Sequence, residues 1–432
     1  MNVCVYGLWH LGSVTAACLA SAGHQVTGTD ADPEIVAHLA GGVPPLFEPG
    51  LAALVEEGLA AGRLRFTADV ASAVAGAEVV WVTCDTPVDE QDRANVEAVV
   101  QGATSLLPHL SDGALVLVSS QVPVGTTARL ERAFEAIAAG RQVGFACSPE
   151  NLRLGHAIAA FTNPDRVVVG TRSEKDRAVV AELLRPFTER VEWMTVESAE
   201  MTKHALNAFL AMSVSFINEV ASVCEQVGAD ASEVRRGLQT DARIGPRAYL
   251  SPGAAFAGGT LARDVTFLSQ LGARHGLPTH LLSAVKASND AHGGWARRRL
   301  SESLGGLAAK TIAVWGLTYK PGTDTLRRSS AIELCRWLVG QGARVQAHDP
   351  SIQRLPPDVS DACHLAGDPF EAVTGADALV VATPWPDYRR IETSALAGLM
   401  SGNLVLDAGG YLAATLGRDG RLQYVRVGQP VT

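Results

Sequence analysis

The chain has 432 residues, 47% of them hydrophobic and 19% charged, with a net charge of −9. That length suits about three domains, and the apolar share excludes global disorder. The acidic balance and the absence of long Lys/Arg runs argue against a nucleic-acid partner, and no uncharged apolar stretch reaches the 18 or so residues of a membrane span.

The opening MNVCVYGLWHLG lacks the basic start of a signal peptide and reads as structure from the first residue. Apolar runs then alternate with helical periodicity, the signature of an α/β fold. Val3–Gly7, Gln25–Asp30, Val79–Cys84, Leu115–Ser119 and Val167–Gly170 read as strands, and Gly12–Ala22 reads as the crossover helix between the first two. Residues 1 to about 195 therefore form one doubly wound domain. Ser198–Val227 runs thirty residues without Gly or Pro, a helix of roughly 45 Å. Ser198 is placed to cap it. Its many-sided apolarity fits a core helix, a crossing between domains or a subunit interface. Residues 230–290 are helical, interrupted by the small-residue stretch Tyr249–Gly259, which suits a ligand-side loop or a plain surface turn. From Lys310 strands return at Thr311–Gly316, Arg344–His348, Ala378–Ala382 and Leu404–Asp407, a second and smaller α/β domain. The seven cysteines lack C-x-x-C pairs, and the eleven histidines are scattered. They read as reduced thiols of a cytoplasmic protein with no metal site.

A dinucleotide fingerprint belongs in the first strand–turn–helix. Gly7-Leu8-Trp9-His10-Leu11-Gly12 keeps the first and third glycines and has Trp9 for the second, so an indole must swing away from a bound pyrophosphate. Asp30, 23 residues after Gly7, stands where a carboxylate takes the ribose hydroxyls and disfavours NADP. A βα turn of any parallel sheet is the plainer reading. Lys203 and Asn207, four apart on the long helix, share a face; they suit oxyanion stabilisation or an exposed polar stripe. Glu150 is an acid/base candidate or a helix N-terminal carboxylate. Asp264, after Gly258-Gly259, is open in the same way.

Longer motifs narrow these choices. Gln121-Val-Pro-Val-Gly-Thr-Thr127, Ser148-Pro-Glu-Asn-Leu-Arg153, Asn163-Pro-Asp-Arg-Val-Val-Val-Gly170, Ala199-Glu-Met-Thr-Lys203, Asn207-Ala-Phe-Leu210, Phe216-Ile-Asn-Glu219, Arg243-Ile-Gly245, Gly316–Arg327 and His348-Asp-Pro350 occur in order. With them the chain resembles the UDP-glucose/GDP-mannose dehydrogenase family over essentially its whole length. The resemblance implies two Rossmann-like doubly wound domains joined by a long central helix and a helical dimerisation region. Their bounds would be 1–196 for NAD, 197–300 for dimerisation and 301–432 for the nucleotide sugar. Family members oxidise a primary alcohol twice, with two NAD, through a cysteine-held thiohemiacetal and a thioester that is hydrolysed.

By the same resemblance Lys203 and Asn207 stabilise the oxyanion, Asp264 orients or activates water, and Glu150 joins the catalytic group. Gly7, Trp9, Leu11, Gly12, Asp30, Thr86 and Gln121 would hold NAD, with Arg327 reaching phosphate. Asn151, Leu152, Arg153, Phe256, Gly258 and Lys320 would line the substrate pocket, Tyr319 would meet the sugar nucleotide beside Lys320, and Arg243 would reach into a partner subunit's site in a homodimer.

The departures concern one half of the reaction. The family's G-G-x-C-x-P-K-D appears as Ala257-Gly258-Gly259-Thr260-Leu261-Ala262-Arg263-Asp264. Read back from Asp264 without a gap, Thr260 takes the nucleophile's position. Gln121 replaces a family threonine, and Asn151-Leu152-Arg153-Leu154 replaces F-L-R-E. A threonine hydroxyl needs an adjacent base to attack a carbonyl, whereas a cysteine is partly thiolate at neutral pH. The groups lost serve mainly the second oxidation and hydrolysis. The expectation is one two-electron alcohol/carbonyl step on a nucleotide-sugar-like substrate. An ordinary UDP-glucose 6-dehydrogenase and a non-catalytic binding paralogue are the alternatives.

Overall fold

The computed structural model describes residues 1–87, 94–150, 152–257 and 259–430. The chain packs as two compact units, Met1–Leu206 and Asn207–Thr432. From Asn207 on, the helical stretch expected as a middle domain is counted with the second unit.

The first unit is built on eight strands: β1 Asn2–Tyr6, β2 Gln25–Thr29, β3 Leu64–Phe66, β4 Val79–Val82, β5 Leu115–Val118, β6 Gly144–Cys147, β7 Val167–Gly170 and β8 Val191–Met194. Their order in the sheet is β3-β2-β1-β4-β5-β6-β7-β8. All neighbours run parallel except β6 and β7, which meet at the single pair Cys147–Gly170. Inner strands covered on both faces need unbroken apolar runs. β4 (VVWV) and β5 (LVLV) are accordingly buried at every residue. The short β3, with Arg65 exposed, and β8, with Glu192 exposed, carry no such run. β6 (GFAC) has no β-branched residue to announce it.

The first helix covers His10–Ser21 rather than Gly12–Ala22, with Trp9 at its N-cap. Its residues from Leu11 to Ala20 are all buried, which explains the run of small side chains. The order reverses between β1 and β4, and there the crevice at the carboxyl ends of the strands receives ligands in this fold.

The second unit repeats the plan with β9 Thr311–Trp315, β10 Arg344–His348, β11 Cys363–Leu365, β12 Ala378–Val381, β13 Leu404–Asp407 and β14 Gln423–Val425, ordered β11-β10-β9-β12-β13-β14. Before this sheet come the helices Ala231–Thr240, Gly259–Arg274, His280–Gly293 and Trp295–Leu304. The irregular stretch opens at Asp241, earlier than the expected Tyr249, because Gly245 sits at φ +85° and Pro246 follows it.

The long helix spans Val196–Val227 and runs through the division between the units. Ser198 does not cap it. Thr195 does: its hydroxyl oxygen accepts the Ser198 N–H at 3.3 Å, placing Ser198 inside the first turn. By length and composition alone this helix is apolar enough to cross a bilayer. It nevertheless buries Glu200, Asn207, Asn218 and Glu225, each hydrogen-bonded to protein, as a packed helix of a folded unit requires.

Candidate functional site

The turn after β1 shows why two glycines of the fingerprint remain. Gly7 lies at φ +92°, and a Cβ there would stand 2.6 Å from Cys84 Cα; a Cβ on Gly12 would stand 1.7 Å from the Gly7 carbonyl oxygen. Strand and helix touch backbone to backbone, so neither position tolerates a side chain. Trp9 has φ −68°, which asks for no glycine, and its side chain is 47% exposed. The indole has turned outward, as the substitution requires. Asp30 follows β2, with Oδ2 accepting the Leu8 N–H at 2.5 Å and Oδ1 accepting the Asp32 N–H at 2.9 Å. Each carboxylate oxygen keeps a lone pair for a ribose hydroxyl. The first helical N–H groups beyond Trp9 lack carbonyl partners within the helix and suit a pyrophosphate. These features fit a bound NAD.

The second unit repeats the turn with a different outcome. Gly316 lies at φ +85° against Thr383. Asp349 occupies the place of Asp30 but is buried. Its Oδ2 accepts from the Leu317 and Thr318 N–H groups at 2.7 and 3.0 Å and from the Trp385 indole N–H at 3.0 Å, and its Oδ1 accepts from Ser351 N–H at 2.9 Å. That carboxylate holds the turn together instead of facing a ribose.

Other groups of the first unit line the carboxyl ends of its strands. The Thr86 hydroxyl donates to the Gln121 carbonyl at 2.6 Å. Leu11, Trp81, Ser119, Glu150 and Leu152 border a cavity of about 80 Å³. Lys203 donates to the Glu150 carbonyl at 2.5 Å, and its ammonium is 3.8 Å from the Glu150 carboxylate; only 10% of the Lys203 side chain is exposed. It is no surface stripe. The other Glu150 oxygen accepts the Leu152 N–H at 2.6 Å. One turn before Lys203, buried Glu200 accepts from Gly125 N–H at 2.6 Å and from the Thr127 N–H and hydroxyl at 2.9 and 2.7 Å. The Glu200 carboxylate thus caps the helix Thr126–Glu135 from a distance, a role no sequence spacing announces.

In the second unit Asn207 donates its amide N–H to Asp264 Oδ2, and both side chains are buried. Asp264 projects from the second turn of the helix Gly259–Arg274. Thr260, one turn earlier, is exposed. The loop before it is clamped at three points. Asn218 accepts the Gly253 N–H at 3.0 Å, His292 Nε2 lies 2.8 Å from the Gly253 carbonyl, and Asn289 both accepts from Phe256 N–H at 2.9 Å and donates to its carbonyl at 3.0 Å. Burial holds the His292 pKa below the usual histidine value, so Nε2 is the donor of a neutral ring. These three clamping residues are absent from the sequence-based set, since only the fold brings them to the loop.

Arg243 is exposed, with its guanidinium on Asp241 at 2.7 Å. Tyr319, Lys320 and Arg327 lie on the loop after β9, where the Lys320 carbonyl accepts from the Thr323 hydroxyl at 3.0 Å and the Arg327 N–H donates to Thr325 Oγ1 at 3.3 Å. Arg153 lies on the loop after β6. Asn151 and Gly258 lie outside the described residues.

All seven cysteines are unpaired thiols, and none lies in Gly259–Arg274. Burial pushes Cys4, Cys18 and Cys84 up to about 12, Cys84 with help from Asp30, and Cys147 well above the usual thiol range. Such thiols are not thiolates near neutral pH. Among the described residues no group of three or more His, Cys, Asp or Glu is arranged to hold a metal.

Fold and site together define an NAD-dependent dehydrogenase with two Rossmann-type sheets, the first of which has a half-exposed carboxylate, Asp30, after its second strand. Sequence comparison carries this further. The sequence models of the UDP-glucose/GDP-mannose dehydrogenase family match residues 1–188 as its NAD binding domain, 197–291 as its central domain and 313–414 as its UDP binding domain. The chain is 37% identical to a UDP-glucose 6-dehydrogenase of Pseudomonas aeruginosa, covering 100% of this chain and 98% of that one. It is 35% identical to one of Rhizobium meliloti with full coverage of both. A UDP-glucose dehydrogenase structure from Pyrobaculum islandicum superposes with TM-score 0.88 at 31% identity, covering 99% of this chain and 98% of that one. A UDP-D-ManNAc dehydrogenase from Pyrococcus horikoshii superposes with TM-score 0.86 at 25% identity, covering 99% of each. The chain belongs to the UDP-glucose/GDP-mannose dehydrogenase family, a family that binds a nucleotide sugar, and it acts on CH–OH groups with NAD as cofactor.

Proposed function

We propose that this dehydrogenase carries out one two-electron alcohol/carbonyl interconversion on a nucleotide sugar and stops there. The observation that carries the reading is the contrast along one helix of the second unit: Asp264 is buried and bound to Asn207, while Thr260 is exposed. Among the described residues Thr260 has no hydrogen-bonded base to activate it, and no cysteine lies on the helix that carries it and Asp264. Bound NAD would accept the hydride from the substrate carbon. The Lys203 ammonium and the Asn207 amide, four residues apart on a continuous helix, stabilise the negative charge that develops on the substrate oxygen. Asp264 holds the Asn207 amide in its rotamer and accepts the hydroxyl proton, directly or through water. With no thiol to add to the carbonyl, neither a thiohemiacetal nor a thioester forms, so the second oxidation has no covalent intermediate to act on. Tyr319 and Lys320, on the loop after β9, are assigned to the sugar nucleotide, and Asp30 to the NAD ribose.

The protein acts as a homodimer through the long helix, in a reducing, cytoplasmic setting that suits its seven free thiols. Phe209, Phe216 and Val223 recur at seven-residue spacing, 59%, 49% and 61% exposed, and form one apolar stripe that a second copy would cover.

A thermal-shift panel of nucleotide sugars with and without NAD tests the binding reading. A true ligand at 100 times its Kd adds about 2.7 kcal/mol of stability. Lys203→Ala then separates an enzyme from a binding paralogue. A loss of roughly 100-fold or more in rate, with ligand still bound, supports catalysis; an unchanged rate overturns it.

A further inference from the structure

Glu48 lies in the irregular stretch Gly41–Gly50, remote in sequence from every residue assigned above, yet its carboxylate is 1% exposed. Two segments of the first unit converge on it. Its Oε2 accepts the Gly155 N–H at 2.7 Å and lies 3.1 Å from His10 Nε2, while its Oε1 accepts the Ala157 N–H at 2.9 Å. His10 opens the helix His10–Ser21 inside the dinucleotide fingerprint. Gly155, at φ +86°, and Ala157 follow the loop that carries Glu150, Leu152 and Arg153. A buried carboxylate is tolerated only when its lone pairs are filled. Here they are filled by one group from the cofactor turn and two from the loop beyond Glu150.

We propose that Glu48 is a positioning residue that couples the two loops, so that occupation of the dinucleotide turn tightens the 153–157 turn. The proposal rests on NAD lying at the fingerprint. NAD seated against the start of the helix His10–Ser21 fixes His10. The fixed imidazole restrains Glu48, and Glu48 restrains the amides of Gly155 and Ala157. Loop order beside Glu150 then follows cofactor occupancy.

The test is hydrogen exchange of the full-length protein over residues 153–158, with and without NAD, alongside NAD titration by calorimetry and steady-state kinetics. In the unaltered protein NAD slows exchange at Gly155 and Ala157. Glu48→Gln abolishes that NAD-dependent slowing and raises the NAD Kd and the sugar-nucleotide KM by about tenfold each, the equivalent of about 1.4 kcal/mol, with kcat changed less than about threefold. A purely structural staple would lower the melting temperature and leave the NAD response of these amides intact. Should Glu48→Gln fail to fold, His10→Phe carries the test, since it keeps both amide bonds to Glu48 and cuts only the link to the cofactor turn. In that variant the amides exchange at the NAD-free rate of the unaltered protein, and NAD no longer slows them. An NAD response that persists in either variant overturns the coupling. Asp30→Ala distinguishes the two levels: an unchanged NAD Kd there removes the fingerprint reading itself, whereas a weakened Kd together with a persisting amide response removes the coupling alone.

Discussion

Asp264→Asn separates the chemistry of the buried pair from its packing. The substitution keeps shape and leaves a carbonyl oxygen to accept the Asn207 N–H, which now meets a neutral acceptor instead of a charged one. A hydrogen bond to a charged group contributes about 1.5–3 kcal/mol and a neutral one about 0.5–1.5, so the exchange costs about 1 kcal/mol. For a unit the size of Asn207–Thr432 that lowers the melting temperature by about 2–4 °C. The loss of a proton acceptor is far larger, about 10²–10⁴ in rate. Asp264→Ala is the contrasting case, because it strands the buried Asn207 donor and costs a further ~1–3 kcal/mol. The assay pairs calorimetric melting with initial rates of NADH formation at saturating NAD and nucleotide sugar. A variant that melts normally and turns over within about threefold of the parent would refute Asp264 as the acceptor, since removing a general base costs at least ~10²-fold. A variant that loses its fold and its activity together would assign the pair to structure alone.

Thr260→Ala keeps most of the activity, because the exposed hydroxyl takes no covalent part. Thr260→Cys alone does not produce the acid, since Gln121 and Leu154 still differ from the hydrolytic set; abundant acid from that single change, seen by mass spectrometry of products, would contradict this. Asp30→Ala weakens NAD far more than the nucleotide sugar, measured by separate titrations, because the half-buried Asp30 keeps a lone pair on each oxygen for a ribose while Asp349 is buried in its own turn. Phe216→Glu shifts the protein towards monomer at micromolar concentration on sizing columns, since an obligate interface of upward of roughly 2,000 Å² does not tolerate a buried unpaired charge.

Much of the architecture is legible because strands buried on both faces must be unbroken apolar runs. Val79–Val82 and Leu115–Val118 announce themselves, while Leu64–Phe66 and Val191–Met194, at the two sheet edges, alternate with exposed Arg65 and Glu192 and do not. The cap of the long helix is misplaced by three residues, since Ser198 and Thr195 are equally good caps in sequence and only the exit of β8 selects Thr195. Of the site, Gly7, Gly12 and Asp30 are legible through their spacing, and Lys203 and Asn207 through helical periodicity. The carboxylates that hold the neighbouring loops are not. Glu48 reaches Gly155 across 107 residues and Glu200 reaches Gly125 across 75, and no local pattern encodes such pairings. The two halves also hide a difference: Asp30 and Asp349 follow equivalent strands, yet only burial and the Trp385 indole tell that one stays half-exposed and the other is buried in its own turn.

Stoichiometry tests the central claim most directly. The purified protein is given limiting nucleotide sugar and excess NAD, NADH is counted by absorbance, and the sugar product is identified by mass. One NADH per substrate consumed, with a carbonyl product carrying two hydrogens fewer than the substrate, is the predicted result. Two NADH per substrate with a carboxylate product would contradict it and would require a route to the acid that uses neither a cysteine nor Thr260.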